Sequence, residues 1–197
     1  MGKEKEILTL TGRRIIPVMY DSQFLLDNNL IDSKDVIDNS VYQVSNFATN
    51  IELKDDYNTT IRVRPDEIVI LGNTNSILNF YDVLKKKQGK IEIHSMEYDS
   101  LFHFEENGIF KQIINRISNF KFLNIDLIQF KKDNYIVKLR ECKKDRLHIE
   151  LTKELILEQP TPLNEISFDL EKEIRDTQIF ANLLFSEHLK LNYDELL

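Results

Sequence analysis

The stretch YIVKLRECKKDRLHIELT, residues 135–152, decides the fold. Tyr135, Val137 and Leu139 alternate with Ile136, Lys138 and Arg140; further on, Leu147, Ile149 and Leu151 alternate with His148 and Glu150. Apolar residues at period two mark two strands, each with one buried face. The interval Cys142-Lys143-Lys144-Asp145 is short and polar, as a hairpin requires. Folded back at that interval, the strands set Lys138 and Arg140 against His148 and Glu150 on the outward face. A second polar interval, Lys131-Lys132-Asp133-Asn134, joins this pair to a third strand over 122–130, so 122–152 reads as an antiparallel meander.

Outward from the meander, residues 59–71 form a second hairpin pattern. Ile61 and Val63 alternate with Arg62 and Arg64, Pro65-Asp66 turns the chain, and Ile68, Val69, Ile70 and Leu71 follow. A helix is expected from a cap at Asn75 or Ser76 to just before Gly89. Ile77, Phe80, Tyr81 and Leu84 would lie on its inner face, and Lys85, Lys86 and Lys87 in its last turn. A second amphipathic helix follows Gly108, with Phe110, Ile113, Ile114, Ile117 and Phe120 as its stripe. A third begins at Asp176 or Thr177 and carries Ile179, Phe180, Leu183 and Leu184; a short one follows Asp21-Ser22.

Several weaker expectations complete the pass. Residues 7–10 and 13–20 read as short extended pieces broken at Gly12, and 41–47 as a strand. The Asp- and Asn-rich run 27–40 reads as an exposed loop. Ile91 and Ile93 start a strand that either continues or turns back through 98–104, and Gln159-Pro160-Thr161-Pro162 reads as a linker. Strands and helices lack a strict β-α-β rhythm, and the strongest strands adjoin in hairpins. The fold class is therefore α+β, a mainly antiparallel sheet (hairpin 59–71 and meander 122–152) packed by about four helices. The length, 197 residues, suits a single domain over 1–197, with subdomains 1–106 and 107–197 as the alternative division.

Composition removes several chemistries. Cys142 is the one cysteine, so neither an intrachain disulfide nor a zinc site of several thiolates can be built. The five glycines, at 2, 12, 72, 89 and 108, are too far apart for a phosphate-cradling Gly-rich loop, and G-x-S-x-G is absent. No apolar stretch approaches the roughly 20 residues that span a bilayer, and the first residues are charged rather than apolar. A cytoplasmic protein without membrane contact and without a cofactor is expected. With 24 Ile, 17 Asn and two Ala, codon bias points to a low-GC bacterium, a phage or a mobile element.

Charge is distributed in blocks. The chain carries 26 basic and 33 acidic residues, a net −7. Residues 1–107 hold −6, residues 108–153 hold +6, and residues 154–197 hold −7. The central basic block supplies the candidate binding residues: Lys131, Lys132, Lys143, Lys144 and Arg146 at meander ends, with Lys138 and Arg140 on the outward face. Cations gathered this way fit an acidic partner or a polyanion. The plainer reading is a solvated face, or one covered by the acidic segment that follows.

Other constellations are thinner. Glu52 and Lys54, two apart after Asp38, have the spacing of a metal-dependent nuclease site in which acids hold the ion and lysine orients water. His94 and His103 would face each other if 91–104 were a hairpin, and would then be metal ligands. Cations beside Cys142 would favour its thiolate, but a hairpin-end residue is the simpler account. Phe120, Phe122, Phe130 and Tyr135 have the spacing of core residues rather than of a base-stacking platform. Arg62 and Arg64 form an exposed basic pair, with the 27–38 acids as their expected partners.

The preferred reading is a non-enzymatic accessory or regulatory protein that binds a macromolecule, first another protein and second nucleic acid, through the basic surface 108–153. The alternatives are a nuclease-like enzyme using Asp38, Glu52 and Lys54, and an assembly subunit that self-associates through the C-terminal stripe at 179–184.

Overall fold

A computed structural model gives the fold and describes residues 2–31, 41–53, 59–88, 90–105, 109–117, 127–142 and 146–191. Nine strands form a large antiparallel sheet: β1 (Gly2–Arg13), β2 (Val41–Val44), β3 (Thr49–Glu52), β4 (Thr60–Val63), β5 (Glu67–Gly72), β6 (Glu92–Glu105), β7 (Leu127–Lys132), β8 (Tyr135–Cys142) and β9 (Arg146–Pro162). Their order is β2-β3-β4-β5-β1-β6-β9-β8-β7. The helices among the described residues are α1 (Ser22–Asp27), α2 (Thr74–Lys87), α3 (Ile109–Ile117) and α4 (Leu170–Leu183). Among the described residues, no helix is long and apolar enough to cross a membrane. The α+β class and the two hairpin systems are as the alternation requires.

The chain divides into two compact units, each assembled from separate segments. The hairpin unit comprises Glu6–Tyr98 and Glu154–Leu170; the meander unit comprises Met1–Lys5, Asp99–Lys153 and Glu171–Leu197.

In the hairpin unit, Ile70 of β5 stands opposite both Ile61 of β4 and Leu8 of β1, and Ile68 opposite Val63 and Leu10. All six side chains are buried. Helix α2, which packs on β5, buries Ile77, Phe80, Tyr81 and Leu84 as its spacing demands. Its cap is Asn73, whose side-chain oxygen accepts from the Ser76 N–H at 2.8 Å, two residues before the earliest expected cap. Asn73 directly follows β5 and keeps extended dihedrals, so it can reach the third amide of the helix. Asp21 caps α1 in the same way through the Phe24 N–H, at 2.9 Å.

Gly12 does not break β1. The strand runs through it, and a Cβ there would collide with the backbone carbonyl of Glu92. Glycine serves close backbone approach rather than a turn. The extended reading of 13–20 is also corrected. Arg14 has a left-handed φ of 64°, and Pro17–Met19 forms one 3-10 turn with Pro17 at its first position.

Of the two readings of 91–104 the continuing strand is the one found, and one further expectation changes. Strand β6 runs unbroken for 14 residues, so 91–104 is not a hairpin. The 159–162 segment is not a linker but the end of β9. Pairing with β8 stops at Tyr135 opposite Lys153, so Pro160 and Pro162 fall where β8 asks for no backbone N–H.

In the meander unit, β8 and β9 set Lys138 and Arg140 against Glu150 and His148 as expected. Strand β7 pairs with β8, which puts Val137 opposite Phe130 and Leu151, and Leu139 opposite Ile128 and Ile149. The third strand spans Leu127–Lys132, so Lys131 and Lys132 lie in the strand rather than in the turn. The 122–126 part of the expected strand, Phe122 included, and Phe120 of the expected helix stripe lie outside the described residues. Phe110, Ile113 and Ile114 of α3 join Phe180, Ala181 and Leu184 in covering the apolar sheet face. A wide π-helical turn, Leu184–Leu189, follows α4 and sets Phe185 edge-on to Phe102 and Phe104, with centroids 5.1 and 5.2 Å away. Helix α4 starts six residues before the expected cap at Asp176. Thr177 lies inside it and donates its hydroxyl to the Glu173 carbonyl at 2.7 Å, a bond that frees it from capping.

Candidate binding face of the meander unit

Alternation sorts the meander side chains by parity. On β8, Tyr135, Val137 and Leu139 turn toward α3 and α4, while Ile136, Lys138 and Arg140 turn the other way. Register carries that outward face across its neighbours. Leu127 and His148 flank Arg140, Gln129 and Glu150 flank Lys138, and Lys131 and Thr152 flank Ile136. On β6, Phe102 and Phe104 point into the core, which turns Asp99, Leu101 and His103 to the same outward side.

Polar contacts order this face. Lys138 Nζ lies 2.5 Å from Glu150 Oε1, the expected cross-strand pair. Thr152 Oγ1 donates to Asp99 Oδ1 at 2.5 Å. The His103 and His148 rings lie 6.4 Å apart at an angle of 36°. Arg140 and Lys131 are exposed, and so is Leu127. A shallow hollow of about 130 Å³ opens here, lined by Leu101, Leu127, Lys138, Arg140, His148 and Glu150 among others.

Of the seven candidate binding residues, three come together on this face: Lys131, Lys138 and Arg140. Lys132 does not, because it follows Ile128 and Phe130 in parity and its ammonium meets the His188 imidazole beyond α4. Arg146 opens β9 opposite Cys142 in register. Lys143 and Lys144 lie outside the described residues.

The acidic segment after residue 170 packs on the opposite side of the sheet. Phe180 stacks on Tyr135 at 4.3 Å with the rings nearly parallel, and Glu173 lies 3.6 Å from Lys153, a residue of core-facing parity. Burial raises the Tyr135 phenol pKa; the Thr177 hydrogen bond opposes the shift, and Glu173 and Asp176 add to it. Helix α4 therefore covers Val137 and Leu139 rather than Lys138 and Arg140.

The remaining candidates fall elsewhere. His94 and His103 are nine residues apart on one continuous strand rather than on two facing strands, so the facing pair does not form. Among the described residues, no group of three or more His, Cys, Asp or Glu could hold a metal ion. Glu52 is exposed on β3, 3.5 Å from Asn50 Nδ2, while Asp38 and Lys54 lie outside the described residues. Arg64 pairs with Glu67 at 2.9 Å, and Arg13 and Arg14 both pair with Glu92. Phe130 and Tyr135 pack in the core. The C-terminal stripe splits: Phe180 and Leu184 are buried, whereas Ile179 is 53% and Leu183 48% exposed.

Sequence reasoning missed Asp99, Leu101 and Thr152 as members of the face. Phe102 and Phe104 carried the signal, since two core aromatics one residue apart fix the parity of everything between and beside them.

No family model and no curated protein matches the chain. Among solved structures, Methanococcus jannaschii TBP aligns over 91% of this chain and 95% of its own, at 11% identity and a TM-score of 0.31.

Proposed function

We propose that the chain is a non-enzymatic accessory protein whose meander unit docks a second protein on the outward face of β6, β9, β8 and β7. One observation carries this reading. The acidic helix α4 occupies the other side of the sheet, leaving Arg140 and Lys131 exposed beside a shallow, partly apolar hollow. Charge on this face is not of one sign, since Lys138 sits beside Glu150. A phosphate backbone presents one negative charge after another and would meet Glu150 as well as the cations. A protein surface with interspersed charges and an apolar centre matches better.

The test is a salt-titrated pull-down from host extract with the intact chain and with the Lys131→Glu/Arg140→Glu variant. A specific partner is expected with the parent, released between low and moderate salt, and lost with the variant. Fluorescence anisotropy with labelled DNA and RNA is the second arm. Equal capture by both proteins, or tight nucleic-acid binding that the variant abolishes, would overturn the protein-docking reading.

A further inference from the structure

The hairpin unit carries a cation cluster that the docking reading does not use. Lys85, Lys86, Lys87 and Lys90 occupy the last turn of α2 and the residues after it, within six positions. With Gln88 and Asn164 they line an open hollow of about 440 Å³. Lys85 is held in place: its ammonium donates to the Ile166 carbonyl at 3.0 Å and sits 5.6 Å from the centre of the Tyr81 ring. Lys86, Lys87 and Lys90 are exposed, and among the described residues no ion pair joins any of them to a carboxylate.

The surroundings make this concentration unusual. The hairpin unit contains 10 basic and 18 acidic residues, so four of its ten cations gather at one helix end in a unit of net −8. The helix C-terminus supplies roughly half a negative charge, and one of its carbonyls, that of Leu84, is already capped by the Gln88 N–H at 2.8 Å. Four ammonium groups therefore leave the hollow strongly positive at short range. At physiological ionic strength, charges more than about 8 Å away are largely screened, so only the nearby carboxylates, Asp82 and Asp169 beside Tyr81, offset part of this local field.

We propose that the lysine hollow at the end of α2 is a binding site for a short oligophosphate. A long nucleic-acid strand would have to leave the hollow and cross an acidic surface, whereas a compact multivalent anion stays within it. Lysine ammoniums are point charges on flexible stems and do not impose the planar two-point geometry of arginine, which suits a chain of phosphoryl groups. Asn164 and Gln88 add neutral amide donors at the rim. The polar lining argues against seating a nucleobase, since small-molecule pockets that hold rings are mostly apolar.

Calorimetric titration of the full chain with inorganic tripolyphosphate tests this. Saturable one-to-one binding is expected, weakening as salt is raised. Lys86→Gln/Lys87→Gln/Lys90→Gln should weaken it at least about tenfold, as loss of three exposed charge contacts implies. Lys86→Arg/Lys87→Arg/Lys90→Arg should retain most of it. The Lys131→Glu/Arg140→Glu protein should bind tripolyphosphate like the parent, which separates this site from the meander face. Circular dichroism checks that each variant folds, as expected at exposed positions. Absence of saturable binding, equal binding by the triple glutamine variant, or tighter binding of a single-stranded 12-mer oligonucleotide than of tripolyphosphate would each overturn the proposal.

Discussion

The hairpin unit and the meander unit solve the same packing problem with interiors of the same kind and with different charge. Both lay an alternating sheet face under amphipathic helices. The hairpin unit closes its interior partly with polar contacts: buried Glu6 accepts from the Tyr98 hydroxyl and, at 2.6 Å, from Thr74 Oγ1. The meander unit does the same with Thr152 on Asp99. Both interiors hold aromatic pairs: Phe24 against Tyr20 and Phe80 in the hairpin unit, Phe185 against Phe102 and Phe104 and Tyr135 against Phe180 in the meander unit. The hairpin unit carries −8, whereas the meander unit, with 16 basic and 15 acidic residues, carries +1. Charge blocks along a chain are thus poor guides to charge in space. The +6 block shares its unit with only −3 of the −7 block, and segments 1–5 and 99–107 bring the unit to +1.

The largest expected effect breaks the aromatic pairs of the meander unit. Phe185→Ala should cost about 3–5 kcal/mol in denaturant unfolding, because three rings lose their mutual contact around a new cavity. Hydrogen exchange should quicken first at Val137 and Leu139; equal acceleration at Ile61 and Ile70 would mean that the two interiors unfold as one. Next, Gly12→Ala should destabilise the hairpin unit by about 1–3 kcal/mol, since the added methyl collides with backbone rather than with a yielding side chain. Glu6→Leu should cost about 2 kcal/mol by stripping the Tyr98 and Thr74 hydroxyls of their acceptor. Urea midpoints at pH 7 check both.

A pH effect sharpens the same comparison. Burial, with help from Asp82 and Asp169, pushes the Tyr81 phenol up from 10.0 to about 12. The folded state therefore holds this proton more tightly than the unfolded chain. The stabilisation it brings is complete below pH 10 and is lost as pH rises through about 12. Tyr81→Phe should leave stability at pH 8 nearly unchanged and reduce its decline above pH 10, read as denaturant midpoints at the two pH values. The smallest effect belongs to the outward face of the meander. Lys138→Gln should cost under about 1 kcal/mol, because the pair it breaks with Glu150 is about one-third exposed. A larger loss would make that face part of the unit's stability rather than a surface for docking.

Much of the fold was legible because alternation is a local signal. Val137, Leu139, Ile149 and Leu151 mark their strands regardless of partners, and Ile77, Phe80 and Leu84 mark α2. Legibility ended where a residue's role depended on something distant in sequence. Gly12 reads as a break until Glu92 is beside it, and Pro160 reads as a linker until β8 is seen to stop short. The candidate face was half legible: the Lys138–Glu150 and Arg140–His148 pairings follow from the hairpin, but the contribution of β6 does not.

Periodicity, composition and charge in the 197 residues were enough for the α+β class, the two hairpin systems, the inner stripes of α2 and α3, and the presence of a basic block beside an acidic one. Which cations stand together was a matter of tertiary structure. Parity sends Lys132 to one side of the meander and Lys131 to the other, and the burial of Phe180 and Leu184 draws α4 with its carboxylates onto the side away from Arg140. Burial of apolar area is what holds that helix in place, and surface charge follows passively wherever the apolar stripe requires it to go.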